Sequence, residues 1–168
     1  MKITRFLIVV CIAMMLFACN SSDVPGSDAP GVTNTENLPT ATTSAAVTSV
    51  TTSGVPGSYT FTVTISSPDT GCEQYADWWE VFRSDGSLAY RRILLHSHVD
   101  EQPFTRSGGP VDVLADEQIT IRAHMNNLGY GTEVFSGTIT QGLIADSFDS
   151  EVALDLALAE PLPDDCAF

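Results

Sequence analysis

The chain has 168 residues, 43% of them hydrophobic, and sets 21 acids against seven lysines and arginines for a formal charge of −14 at pH 7. That length allows one domain with a core and a tail. The acidic balance repels phosphate backbones and anionic lipid, which argues against nucleic acid as a partner and suits a soluble exported surface, as in a saline habitat.

The first residues carry the strongest pattern. Lys2 and Arg5 form a positive head, Phe6 to Phe17 an uninterrupted apolar run, and Ala18-Cys19 a small-residue close before Asn20-Ser21-Ser22. A charged start, a short apolar run and a small-residue cut describe a secretory signal, and the run is shorter than the roughly 20 residues of a membrane span. The tetrad Leu16-Phe17-Ala18-Cys19 resembles the lipobox of bacterial lipoproteins, with Phe17 standing where that family prefers a smaller residue. The resemblance implies a signal peptide over residues 1–18, lipidation of Cys19, and an anchor in the cell membrane or outer membrane. The folded part would then stand in the periplasm or at the cell surface. Asn20, rather than Asp, leans towards the outer membrane. Each buried methylene contributes about 0.8 kcal/mol, so two or three acyl chains make such an anchor nearly permanent. Removing Lys2 and Arg5 leaves five arginines and no lysine, and takes the formal charge to −16.

Residues 19–56 read as a lipid-anchored tether. They are rich in Ser, Thr, Pro, Gly, Ala and Val, with no aromatic residue, no arginine and no apolar period, a composition that buries too little surface to offset its ordering entropy. Residues 57–168 then form the folded domain. With Cys11 in the signal and Cys19 at the anchor, Cys72 and Cys166 remain as a pair in an oxidising compartment and read as a disulfide. The closed loop is long, and the chain-entropy relation gives such a bridge about 4 to 5 kcal/mol.

The clearest strand is Tyr59 to Ser66, where Tyr59, Phe61, Val63 and Ile65 alternate with Thr60, Thr62, Thr64 and Ser66. Asp77 to Arg83 reads as a second strand, returning through Ser84-Asp85-Gly86-Ser87 into a third over Leu88 to Val99. On the third, Arg92, Leu94, His96 and His98 share a face. Gly108-Gly109-Pro110 is expected to break the chain before a short strand at Val111 to Leu114. Gln118 to Met125 alternates, with Thr120, Arg122 and His124 expected outward, and a further strand is expected over Thr132 to Thr140. Trp78 and Trp79 must face opposite ways, one into the core. Asp149-Ser150-Glu151 before Val152 to Leu158 predicts a short helix, stopped by Pro161 and Pro163. The sum is a mainly β chain: a compact antiparallel β-sandwich of immunoglobulin-like scale with a short C-terminal helix, expected as a monomeric domain.

The histidines, and all arginines beyond the leader, lie between Arg83 and His124. His96 and His98 on one face, with His124 on a neighbouring strand and Glu101 near by, form a candidate site for zinc or another divalent transition metal. Three histidines and a water are a known zinc arrangement. The spacing His96-x-His98-x-x-Glu101, then Gly108, resembles the first cupin motif, one residue short before the acid and with Tyr90 at the expected glycine. That resemblance implies a His-ligated metal-binding protein or enzyme. The alternative from the same residues is structural hydrogen bonding, and a third is an anion site from Arg92, Arg106 and Arg122, since arginine forks match carboxylate and sulfate geometry. No nucleophile elbow, phosphate loop or nucleotide motif is present.

The stretches Tyr75-Ala76-Asp77-Trp78-Trp79-Glu80-Val81, Arg91-Arg92-Ile93-Leu94, His96-Ser97-His98-Val99, Glu101-Gln102-Pro103-Phe104 and Arg106-Ser107-Gly108-Gly109, with the ending Pro161-Leu162-Pro163 to Cys166-Ala167-Phe168, resemble an uncharacterised family of exported bacterial proteins that carries no activity to transfer. The expectation is a lipid-anchored, non-enzymatic binding or surface module of the cell envelope. Its partners beyond the membrane would be an envelope protein or glycan, and the rival reading is the metal site.

Overall fold

A computed structural model describes residues 43–167. Two antiparallel sheets pack face to face. The first has three strands in the order β1-β2-β5, with β1 at Ala46–Val55, β2 at Ser58–Ser66 and β5 at Phe104–Val111. The second runs β4-β3-β6-β8-β9, with β3 at Ala76–Arg83, β4 at Leu88–Ile93, β6 at Ile119–Met125, β8 at Glu133–Thr138 and β9 at Gly142–Ser147. The short β7 at Gly129–Tyr130 also pairs with β6. No helix among the described residues is long and apolar enough to cross a membrane.

The alternation in β2 does what period two demands: Tyr59, Phe61, Val63 and Ile65 are buried against Trp79 and Val81 of β3 and Ile119, Ile121, Ala123 and Met125 of β6. The outer face of the first sheet carries hydroxyls, which pair across strands as Thr62 with Ser107 and Thr64 with Thr105. The β3–β4 turn forms as expected, with Asp85 Oδ1 accepting from both the backbone N–H and the hydroxyl of Ser87.

Several boundaries differ from the sequence reading. The tether does not extend to residue 56: Ala46–Val55 is β1, paired along its length with β2, and Ala45, Ala46 and Val47 are core residues. Thr and Val are good strand formers, and Pro56-Gly57, with Gly57 at φ 81°, supplies the turn that folds β1 onto β2. The third predicted strand ends at Ile93, so His96 and His98 lie on a loop. Gly108-Gly109-Pro110 does not break the chain but lies inside β5, an edge strand where a missing N–H costs no ladder bond, and the register shifts there. Gly108 is needed for a close approach: a Cβ there would sit 2.6 Å from the Tyr90 hydroxyl and 2.9 Å from Trp79 Cζ2. The strand expected over Thr132 to Thr140 is the first arm of the β8–β9 hairpin.

The expected C-terminal helix is a single 3₁₀ turn, Leu154–Leu158, entered through Ala153 in the left-handed region at φ 48°. Two arginines of the second sheet donate to carbonyls of this segment, and those of Ala153 and Leu156 also accept its own backbone N–H groups. The outward face of β6 is consequently not solvent-facing; Thr120, Arg122 and His124 are buried there.

Candidate functional site

Two polar centres and one cavity organise the arginines and histidines. The first centre is Glu80 on β3, fully buried, with Arg91 of β4 and Arg122 of β6 opposite it on either side. Its Oε2 accepts from Arg91 Nε at 2.9 Å and Nη2 at 2.5 Å, and from Trp78 Nε1 at 3.1 Å. Its Oε1 accepts from Arg122 Nε at 2.8 Å, with Arg122 Nη2 in ion-pair contact at 2.8 Å. The remaining donors reach along the C-terminal segment: Arg91 to the carbonyls of Leu156, Ala159 and Pro161, and Arg122 to those of Val152 and Ala153. Arg122 also lies 3.3 Å from the centroid of the Tyr130 ring, and Arg91 4.4 Å from that of Trp78. Burial, then the charge of Glu80, pushes the Tyr130 hydroxyl up to about 12. Every nitrogen of the two guanidiniums is engaged with the protein itself, so this centre fastens the C-terminal segment to the sheet.

The second centre joins β3 to β6. His124 Nδ1 and Asp77 Oδ1 are 2.7 Å apart, and the imidazole stacks on Trp78 with ring centroids 3.6 Å apart and planes 7° apart. Trp79, on the opposite face, is the core tryptophan, and Trp78 is covered as well.

The cavity lies where β4 runs into the following loop. It has a volume of about 90 Å³ and is lined by Arg92, Ile93, Leu94, Leu95, His96, His98 and Arg106. His98 is buried, stacked on Phe104 at 3.8 Å, with His96 at 4.5 Å on its other side. Its backbone N–H donates to Asp69 Oδ2, but neither ring nitrogen has a hydrogen-bond partner among the described residues; the nearest acid, Asp69, is 3.9 Å from Nδ1. Burial, followed by Arg106 and His96, lowers this imidazole to about 4, so it is neutral near pH 7. Arg106 donates to Glu101 at 2.8 Å and to the Thr105 carbonyl, and its hydrogen bond and charge hold the exposed Glu101 below the usual carboxylate range. Arg92 is exposed and has no partner among the described residues.

The candidate residues therefore divide. His96 and His98 meet, while His124 is committed to Asp77 and Trp78 and Glu101 to Arg106. Among the described residues no group of three or more His, Cys, Asp and Glu side chains is placed to hold a metal ion. The four-residue metal set expected from the sequence is thus not assembled, because β4 ends before the histidines and His124 belongs to the outer face of the second sheet. Of the expected anion set, Arg92 and Arg106 share the cavity, but Arg122 is bound to Glu80. Cys72 and Cys166 form the disulfide, Cα atoms 5.7 Å apart, tying the end of the C-terminal segment to the loop after β2. Cys19 and the lipobox lie outside the described residues. Sequence reasoning missed Glu80 and Asp77 as organisers. Their signal was an acid at each end of an aromatic run, Asp77-Trp78-Trp79-Glu80, flanked by strands that each carry arginine or histidine.

No family model matches the chain, and no solved structure matches it. A protein of Halomicrobium mukohataei named "Putative lipoprotein" is 39% identical over 71 residues, which is 42% of this chain and 35% of that protein. The match thus spans about a third of that relative's length.

Proposed function

We propose that this chain is an exported lipoprotein, anchored to a membrane through Cys19, whose sandwich is a non-enzymatic binding or surface module of the cell envelope. The observation that carries the reading is the relative named as a lipoprotein, 39% identical over 71 residues. The lipobox-like Leu16-Phe17-Ala18-Cys19 supports it from the sequence, and the Cys72–Cys166 disulfide fits an oxidising compartment. The role as a binding module rests on the commitment of Glu80, Arg91, Arg122, Asp77 and His124 to holding the fold, while the cavity at His96 and His98 is lined by Arg92, which has no partner among the described residues.

The test is metabolic labelling with a radioactive fatty acid or lipid precursor in an expressing cell, followed by membrane fractionation and mass spectrometry of the N-terminal peptide. The expected result is label on a processed chain beginning at Cys19, with both label and membrane retention lost in Cys19→Ser. A processed, unlabelled protein in the soluble fraction would refute the anchor.

A further inference from the structure

We propose that the cavity between β4 and β5, lined by Arg92, His96, His98 and Arg106, is a binding site for a small oxyanion, the carboxylate or phosphoryl group of a small molecule. This rests on the reading of the domain as a binding module and names its ligand class.

The charge of the lining is the first argument. Acids outnumber lysines and arginines three to one in this chain, yet every ionisable group lining the cavity is a base. The second is that their donors are left over. Arg92 has its whole fork free among the described residues, and Arg106 keeps its Nε uncommitted while Nη1 and Nη2 are used. Guanidinium forks match the paired oxygens of carboxylate and phosphoryl groups. The third is His98. A buried imidazole with neither nitrogen hydrogen-bonded carries an uncompensated desolvation cost, and such groups ordinarily find a partner. Both ring nitrogens are closed off from solvent, with Asp69 3.9 Å from Nδ1, so the N–H of the neutral ring reaches an oxyanion in the cavity only when the ring turns towards it.

The size fits a small ligand. About 90 Å³ is several times the roughly 10 to 15 Å³ that one water occupies on this measure. It suits an anionic head of a few heavy atoms, with Ile93, Leu94 and Leu95 as an apolar margin. A transition metal fits less well, because Arg92 and Arg106 would stand beside it as like charges. Glu101 occupies one edge of Arg106 from an exposed position and so competes with the incoming anion.

The test uses the full chain in a mild detergent, with side-chain and backbone resonances followed by NMR. Sodium phosphate and sodium acetate are titrated separately at constant ionic strength against chloride. The expected result is a saturable shift confined to Arg92, His96, His98 and Arg106. Arg92→Gln, on an exposed side chain that leaves the fold intact, weakens affinity about tenfold, and Glu101→Gln tightens it several-fold. The stronger of the two probes names the source, phosphoryl or carboxylate. No saturable shift with either anion, or a shift that Arg92→Gln leaves unchanged, overturns the proposal. Because the probes are soluble and the readout is local, its failure is separate from any failure of lipid labelling.

Discussion

Glu80 and Arg122 face each other directly across β3 and β6, with two 2.8 Å contacts made out of solvent, and the same carboxylate is held from the other side by Arg91. Two guanidiniums on one carboxylate leave a net buried positive charge, balanced by the carbonyl oxygens of the C-terminal segment. Glu80→Gln removes the negative member and leaves two buried cations facing a neutral amide. The expected loss is about 3 to 5 kcal/mol, read by urea unfolding. Hydrogen exchange over residues 152–161 should rise in the same variant, since the arginines that hold that segment lose their own anchor.

Gly108 on β5 lies close against Tyr90 and Trp79 of the second sheet, where a Cβ would fall within 3 Å of both rings. Gly108→Ala puts a methyl against Trp79, which is buried and has no room to turn away. Overpacking of this kind costs about 1 to 3 kcal/mol, and thermal unfolding should show the lowered midpoint.

The disulfide closes a loop with a sequence separation of 94 residues. The double variant Cys72→Ser/Cys166→Ser should lose up to about 4 to 5 kcal/mol by the chain-entropy relation, measured as the difference between urea curves of the two proteins under oxidising conditions. Equal curves would show that the bridge constrains nothing the rest of the fold does not.

Stability should depend on His98 with a definite sign. Its folded value of about 4 lies below the ordinary 6.5, so the unfolded chain takes up the proton first as pH falls. The group's contribution is constant above about pH 6.5, declines as pH falls towards 4, and is flat below. Arg106 and His96 oppose protonation, and Asp69 and Glu101 favour it. A His98→Gln variant should flatten that part of the stability profile relative to the native chain, and parallel profiles would contradict the assignment.

Removal of β1 should be more damaging than removal of a tether. A chain beginning at residue 57 lacks Ala45, Ala46 and Val47 from the core and leaves one edge of β2 unpaired, and is expected to aggregate or unfold without cooperativity. A chain beginning at residue 43 should keep a single sharp transition by circular dichroism.

The sandwich was legible where side chains face one way or the other without ambiguity, as in Tyr59 to Ser66 and Ile119 to Met125. It was not legible in β1, because a Thr/Ser strand with three valines has the composition of a linker until its partner is known. The turn residues Pro56-Gly57 were the local evidence for it. The C-terminal segment differs for a related reason: capping and alanine content favour a helix, but the left-handed Ala153 limits it to one 3₁₀ turn, and the arginines that fasten that turn stand on strands distant in sequence. For the site, residue types were informative and partnership was not. The clustering of arginine and histidine was visible, yet strand parity was extended past Ile93, where β4 stops. Which arginine pairs with Glu80 follows from register, which no periodicity reports.

The fastening of residues 152–161 by side chains on β4 and β6 makes the last part of the chain a component of a layer begun far upstream. In chain order Glu80 comes first, then Arg91 and Arg122, and the carbonyls that complete their hydrogen bonding last. Without those oxygens the two cations would share a single carboxylate beside Trp78 and Tyr130 and would have to keep water as their remaining partner. The polar layer is therefore closed to water by the final stretch of the chain lying across the sheet.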